Sequence, residues 1–261
     1  MSEFEPLKHK LARGSAVTGC WLSLFSPLAA EIVGAADFDC FMVDLEHGPG
    51  SVMDAIAMMQ AVKGHGRSVL ARVPENNPVW LKRILDAGVH GVMIPSVENA
   101  AEARAAVSAC RYAPKGTRGM AAPVVRATGY GQDWQSYVQR VEDDLLIICQ
   151  IESPQAVEQV EKIAATEGLD MLFVGPFDLS GSLGHPGQPD HEAVSQAMER
   201  IRAAAQSSGK LLGTIPTAKR SAKALYAAGY DLILGPHDAV MLRLAAEDAA
   251  AGLREAAGSR S

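Results

Sequence analysis

Short apolar runs recur along the chain and alternate with stretches that have helical spacing. Eight runs of apolar or β-branched residues are typical of buried parallel strands, which are hydrophobic on both faces. They cover residues 18–24, 41–45, 68–73, 91–95, 145–151, 171–174, 211–215 and 231–234. Stretches rich in Ala, Glu, Gln and Arg predict helices at 78–87, 100–110, 154–166, 191–207 and 217–228. This alternation indicates repeated strand–helix units.

Right-handed crossovers between parallel strands occur both in a closed (β/α)₈ barrel, or TIM barrel, and in a doubly wound open sheet. The count of eight strand–helix units favours the barrel. Glycines at 88, 209 and 229 stand just past three of the helical stretches, where a left-handed cap is typical. No linker interrupts the pattern, so we predict one domain over residues 1–261. Residues 245–261 predict a C-terminal alanine-rich helix.

The length of 261 residues suits one barrel of this kind, and 48% hydrophobic and 21% charged residues are ordinary for a globular protein. The first 14 residues are charged throughout, and no apolar run is long enough to span a bilayer, which predicts a cytoplasmic protein without membrane contact. Cys20, Cys40 and Cys149 lie inside apolar runs, which indicates reduced core thiols rather than disulfides.

The net charge of −6, without a basic block, argues against nucleic acid or an anionic membrane as partner, because both require clustered Lys and Arg. The sequence has no cluster of basic residues that would indicate a binding site for a nucleotide cofactor or for coenzyme A. The predicted partner is therefore a small molecule, and any anionic group on it must meet a local positive charge.

Polar residues interrupt the apolar runs at one end of successive predicted strands. Reactive groups of such barrels gather at the C-terminal ends of the strands. The residues there are Asp44, Glu46 and His47 after the second strand, Arg72 in the third, Gln150 and Glu152 at the fifth, and Phe177 and Asp178 after the sixth. We expect these groups to line one pocket.

Glu152 and Asp178 end neighbouring strands, which lie ~5 Å apart in a sheet, so both carboxylates can reach one divalent cation. Oxygen ligands with open positions favour Mg²⁺ or Mn²⁺ over zinc. The alternative is that Glu152 caps the next helix and Asp178 caps the turn before Gly181.

Arg72 ends the run 69–73, where a strand would point it into the mouth of the barrel. A guanidinium group there can clamp a carboxylate and neutralise an enolate, although a structural salt bridge is the alternative. Histidine is a residue type suited to proton transfer near neutral pH, so we expect His47 to move a proton, with Asp44 orienting its ring. Lys219 is the lysine nearest the correct face, and we expect it to begin a helix, so no Schiff-base lysine is predicted.

Several motifs resemble the class II pyruvate aldolases of the HpcH/HpaI type, which include hydroxy-oxo-heptanedioate and deoxy-sugar-acid aldolases. The matching segments are residues 38–47, 71–74, 85–88, 112–119, 150–152 and 175–180, in that order. The resemblance is good over residues 19–182 and loose beyond. It implies a divalent-metal-dependent aldolase that reversibly cleaves a 4-hydroxy-2-oxo acid into pyruvate and an aldehyde through an enolate.

The resemblance also implies a role for each site residue. Glu152 and Asp178 would be the ligands of a Mg²⁺, Mn²⁺ or Co²⁺ ion, with Gln150 behind them. Arg72 would bind the pyruvate oxygen, and the backbone N–H groups of Phe177 and Asp178 would receive the substrate carboxylate. His47 would be the catalytic base, supported by Asp44 and Asp86, and Trp21 would line the substrate site. Members of the family are usually homohexamers that exchange a C-terminal helix.

Three segments depart from the family pattern: Phe177, residues 126–130 and residues 214–216. We expect them to surround the aldehyde, whose identity therefore stays open. Two further activities use the same enolate, an oxaloacetate decarboxylase and a citryl- or malyl-thioester lyase. A metabolite-binding barrel without catalysis is the alternative from another class.

Overall fold

Eight parallel strands follow one another around a closed barrel, and the last strand pairs with the first. The computed structural model describes residues 5–258. The strands are β1 (Val17–Leu22), β2 (Cys40–Asp44), β3 (Ser68–Arg72), β4 (Gly91–Ile94), β5 (Leu146–Ile151), β6 (Met171–Val174), β7 (Leu211–Thr214) and β8 (Leu232–His237). The predicted (β/α)₈ barrel is confirmed.

Helices cover the outside of this barrel. They are α1 (Leu7–Ala12), α2 (Pro27–Gly34), α3 (Val52–Val62), α4 (Pro78–Ala87), α5 (Ala100–Cys110), α6 (Trp134–Asp144), α7 (Pro154–Glu158), α8 (Val160–Ala164), α9 (Pro176–Ser182), α10 (Glu192–Ser207), α11 (Ala222–Ala227) and α12 (Asp238–Gly258). Gly88, Gly209 and Gly229 have positive φ, so the predicted left-handed positions after three helices are confirmed.

Two predicted helices differ from the structure. The stretch 154–166 forms α7 and α8, with a break at Gln159, whose backbone leaves the helical conformation. The stretch 217–228 becomes helical only at Ala222. Asp190 accepts hydrogen bonds from the Thr217 hydroxyl and the Lys219 backbone N–H, which holds this segment as a loop. Lys219 therefore does not begin a helix, and it is exposed.

Side chains alternate between the inside of the barrel and the layer beneath the helices. In β2, Cys40 and Met42 belong to the inner cluster, whereas Phe41 and Val43 pack under the helices. Leu11 of α1 joins the inner cluster, so α1 closes one end of the barrel. The polar strand ends are therefore at the other, open end.

Strand β8 extends to His237, three residues beyond the predicted end. Its pairing with β1 runs in register to Gly19 and Leu234 and then shifts, so that Trp21 pairs with His237. The extra residue on β8 is a β-bulge, a feature that often re-aims a side chain beside a functional site.

The C-terminal helix begins at Asp238, earlier than the predicted start at residue 245. Residues 259–261 of the predicted helix and residues 1–4 of the predicted domain lie outside the described residues. Leu242, Leu244 and Leu253 of α12 are exposed. Among residues 5–258, no helix is long and apolar enough to cross a membrane.

Candidate active site

The inward rows of three strands end on polar residues. Asp44 follows Met42 by two positions on β2, Arg72 follows Leu70 on β3, and Gln150 follows the inward Ile148 on β5. Because side chains alternate along a strand, each polar group continues an apolar row into the barrel mouth. The register between β2 and β3 places Asp44 directly beside Arg72.

Arg72 is buried between two carboxylates. Its Nε and Nη2 donate to the two oxygens of Asp44 at 2.9 and 2.7 Å, and its Nη1 lies 3.1 Å from Glu46 Oε2. The guanidinium also lies 4.5 Å from the centre of the Trp21 ring. Burial acts to raise the pKa of Asp44, but the bonds from Arg72 outweigh it and lower that pKa. The salt bridge considered from the sequence is therefore present, and Arg72 also lines the cavity described below.

Hydrogen bonds hold Glu152 from two sides. Oε1 accepts from the backbone N–H of Ser96 at 2.8 Å and from its hydroxyl at 3.0 Å, while Oε2 accepts from Gln150 Nε2. Burial raises the pKa of Glu152 despite the Ser96 bonds, and the Asp178 carboxylate adds to the rise. The helix that follows is capped by Ser153, so the capping role considered for Glu152 is wrong.

The carboxylates of Glu152 and Asp178 converge beside Gly175. A Cβ atom built at Gly175 would lie 3.0 Å from Glu152 Oε2, 3.3 Å from Asp178 Oδ2 and 2.9 Å from Gln150 Nε2. The missing side chain thus leaves a small space that faces both carboxylates. Among residues 5–258 no group of three or more His, Cys, Asp or Glu is placed to hold a metal. Two carboxylates with open positions match a hard cation that also binds substrate oxygens.

Gly175→Ala should weaken divalent-cation binding by about 10- to 100-fold, the range for changes in the residues that orient metal ligands. The added methyl group would occupy the space between the carboxylates and push Gln150 away. Gly181→Ala on helix α9, which begins directly after Gly175, is the matched control, because a Cβ there meets nothing within 4 Å. Calorimetric titration measures the Mn²⁺ affinity of both variants. Equal affinities would contradict the prediction that Glu152 and Asp178 hold the cation.

A cavity of about 410 Å³ opens at this end of the barrel. It is lined by Trp21, Ser23, Asp44, His47, Gly48, Arg72, Gln150, Phe173, Gly175, Phe177, Asp178, Ile215 and His237. Trp21 Nε1 and Gln150 Oε1 are buried and have no hydrogen-bond partner among the described residues. Buried polar atoms without partners are uncommon, and here they accompany a cavity of ligand size. A neighbouring cavity of about 430 Å³ shares Phe177 and Asp178 with it.

His47 lies in the loop after β2, with its side chain 63% exposed. Asp44 accepts a hydrogen bond from the backbone N–H of His47 at 3.3 Å, so it fixes the loop rather than the ring. Glu46 Oε2 is the carboxylate oxygen beside the ring, 3.8 Å from Nε2. The prediction that Asp44 orients the imidazole is therefore replaced by a role in holding the His47 backbone.

Asp86 lies in a different cavity from the other predicted site residues. Its Oδ1 accepts from Arg118 Nη2 at 2.8 Å, and Arg118 is buried against Tyr112 and Tyr137. Arg126 and Tyr130 border the cavity of about 490 Å³ that contains Asp86. Within one chain, Asp86 therefore lies in a different cavity from His47. Three segments depart from the family pattern, and of these Phe177 and Ile215 of the segment 214–216 line the barrel mouth, whereas the segment 126–130 borders the cavity of Asp86.

Three residues of the site were not singled out from the sequence. Ser96 binds Glu152 from a left-handed backbone conformation, φ 52°, which is uncommon outside glycine and is found at functional sites. Glu46 was placed near the site but given no role. His237 follows Gly235-Pro236, and its position as the polar end of the eighth strand is the signal that could have identified it.

Comparison with known proteins matches residues 17–244 to the HpcH/HpaI aldolase/citrate lyase family. The 2-dehydro-3,6-dideoxy-6-sulfogluconate aldolase of Pseudomonas putida is 46% identical over 208 residues, which cover 78% of this chain and 81% of that protein. A pyruvate aldolase of Rhizobium etli is 43% identical over 74% of this chain and 75% of its own.

A solved structure of a HpcH/HpaI aldolase/citrate lyase family protein from Burkholderia cenocepacia has the same fold. Its TM-score is 0.90 at 36% identity, and the match covers 95% of this chain and 98% of that one. The family match extends over the segments that contain Arg72, Glu152 and Asp178. Together with these relatives, it shows that the chain is a lyase and belongs to the HpcH/HpaI aldolase/citrate lyase family.

Proposed function

We propose that this protein is a divalent-metal-dependent pyruvate aldolase that cleaves or forms 4-hydroxy-2-oxo acids. The observation that carries the proposal is the convergence of Glu152 and Asp178 beside Gly175, where Asp178 lines both the cavity that contains Glu152 and the cavity that contains Arg72. The names of the relatives, which are aldolases for sugar acids and for pyruvate, support the same reaction.

Glu152 and Asp178 would hold the cation, with Mg²⁺, Mn²⁺ and Co²⁺ as candidates. When bound, such an ion supplies Lewis-acid polarisation of the 2-oxo group. Ser96 and Gln150 fix the Glu152 carboxylate, so little reorganisation is required at the moment of reaction.

Arg72 would bind the 2-oxo oxygen and stabilise the negative charge that develops there. Its guanidinium is held by Asp44 and by the Trp21 face, which orients the N–H groups before substrate binds. Trp21 Nε1 and Gln150 Oε1, which have no hydrogen-bond partner within residues 5–258, are further polar atoms for the substrate and its water. Backbone N–H groups at the start of α9, at Phe177 and Asp178, would receive the substrate carboxylate.

Cleavage breaks the bond between C3 and C4 of the 2-oxo acid. The C4 hydroxyl loses its proton, the C4 oxygen becomes the aldehyde, and the electron pair of the broken bond becomes the pyruvate enolate. A proton then reaches C3 and forms the methyl group. His47, exposed at the cavity mouth, would take the hydroxyl proton directly or through water.

His47→Ala is expected to slow aldol cleavage by about 100-fold or more, because a positioned acid–base group contributes at least that much. The rate of pyruvate release from a 4-hydroxy-2-oxo acid, coupled to lactate dehydrogenase, measures it. His65→Ala is the control, since His65 is exposed on a different part of the surface. Full activity of His47→Ala at neutral pH would remove His47 from the mechanism.

The proposed function is tested by exchange of pyruvate methyl protons in D₂O with and without divalent ions, followed by a panel of 4-hydroxy-2-oxo acids beside oxaloacetate. Metal-dependent exchange together with cleavage of the panel supports the aldolase. Decarboxylation of oxaloacetate without cleavage would favour the decarboxylase. A chain that binds no divalent ion and exchanges no protons would favour a binding protein.

We also propose a homo-oligomer, a hexamer by family resemblance, in which α12 is exchanged between subunits. The exposed Leu242, Leu244 and Leu253 support a partner for this helix. Light scattering of the full chain and of a chain ending at residue 240 tests the assembly, and a monomer in both cases would contradict it. A cytoplasmic location is proposed as well, and the four free, buried cysteines are in keeping with it.

A further inference from the structure

The bulge in β8 brings His237 against Trp21, across the seam where the first and last strands meet. The two rings are stacked, with centroids 5.2 Å apart and planes within 4° of parallel. A regular strand would end its inward row two residues after Leu234, at Pro236, so the bulge is what turns His237 toward the cavity.

Neighbouring groups hold the His237 ring in one orientation. Its Nδ1 lies 3.0 Å from Ser23 Oγ, and the backbone N–H of Ser23 donates to buried Asp238 at 2.9 Å. Nε2 makes no hydrogen bond with any residue in the range 5–258. Burial lowers the pKa of His237 more than the nearby Asp44 carboxylate raises it, which favours the neutral form of the ring.

His237 stacks on Trp21, which also packs against Arg72, but it lies on a different strand from the predicted metal ligands. Glu152 and Asp178 follow β5 and β6, whereas His237 ends β8. The cavity of about 410 Å³ exceeds what a small acid such as pyruvate fills, so the remaining space belongs to the aldehyde half. Phe173 and Ile215 make part of the cavity wall apolar, which leaves the free nitrogen of His237 as a polar contact there.

We propose that Nε2 of His237 binds a hydroxyl group of the aldehyde half and makes the enzyme select hydroxyaldehydes. This inference rests on the proposed aldolase function. A hydroxyl group both donates and accepts, so it can pair with Nε2 in either tautomer of the neutral ring. An aldehyde without the hydroxyl would leave Nε2 buried and unpaired, which is the basis of discrimination.

The test compares aldol addition of pyruvate to glycolaldehyde and to acetaldehyde, of which only glycolaldehyde carries a hydroxyl group beside the aldehyde. The ratio of kcat/KM for glycolaldehyde to that for acetaldehyde is the readout. His237→Phe keeps the stacked ring but removes both nitrogens, and should lower the ratio about tenfold. His237→Gln, which retains a hydrogen-bonding group, should restore part of it, and Ser23→Ala, which releases the ring, should lower it too.

The control His65→Ala should keep the wild-type ratio. An unchanged ratio in both His237→Phe and Ser23→Ala, with pyruvate proton exchange still present, would overturn the assignment of His237 while leaving the aldolase intact. A wild-type preference for acetaldehyde over glycolaldehyde would overturn the substrate class. Absence of pyruvate proton exchange in the wild-type protein with metal would overturn the proposed function and this inference together.

Discussion

Glu152→Gln is expected to slow the metal-dependent exchange of pyruvate methyl protons by roughly two to three orders of magnitude, the size seen when an enzyme loses one preorganised electrostatic group. Glutamine keeps the shape of the side chain and its contact with Ser96, but it removes one of the two negative charges beside Gly175. Asp178 alone would hold the cation weakly. Exchange followed by NMR in D₂O measures the loss.

The same variant separates a functional role from a structural one. A carboxyl group with a raised folded-state pKa contributes stability below its unfolded pKa, here 4.5, and loses that contribution as pH rises through the folded value. The neutral amide has no such loss, so metal-free Glu152→Gln should unfold at neutral pH with a free energy at least equal to that of the parent. A strong loss of stability would instead indicate that Glu152 is structural.

Two controls accompany this prediction. Glu158→Gln changes an exposed glutamate on the following helix and should leave exchange unchanged. Chelation of divalent ions should abolish exchange in the parent, and Mg²⁺, Mn²⁺ or Co²⁺ should restore it to different extents. Exchange that survives both chelation and Glu152→Gln would contradict the metal-dependent mechanism.

Arg72→Met is expected to affect activity and stability together. Methionine cannot bind the 2-oxo oxygen, and it leaves Asp44 and Glu46 without their cation inside the barrel mouth. Breaking a buried ion pair by removing one partner costs about 3–5 kcal/mol. We expect the free energy of unfolding at neutral pH to fall by about that amount, as measured by urea denaturation, and aldol cleavage to fall by about 100-fold or more.

Arg72→Lys distinguishes charge from geometry. Lysine restores a positive charge near the carboxylates but cannot form the paired hydrogen bonds to Asp44. It should therefore regain more stability than activity. Arg140→Met is the surface control, because Arg140 pairs with Asp133 and Asp144 on an exposed helix and should cost about 0–1 kcal/mol. Equal losses for Arg72→Met and Arg140→Met would contradict the buried role.

Local sequence patterns were sufficient for much of the architecture. Continuous apolar runs predicted all eight strands, and glycines predicted the ends of α4, α10 and α11. Both features depend on residues that are close together in sequence. A strand buried on both faces is a continuous apolar run, and a left-handed helix end favours glycine at one position. The predicted start of α11 was wrong because a distant residue intervenes: Asp190 holds the segment before this helix as a loop.

The sequence by itself determined which strands end on Asp44, Arg72, Gln150 and Glu152, because alternation along a strand is a local property. The tertiary structure alone decided what those groups touch. Barrel closure joins strands more than 200 residues apart, which puts His237 beside Trp21, and strand register turns Asp44 toward Arg72 rather than toward the His47 ring. Such contacts depend on closure and register, and neither is encoded by the pattern of any single strand.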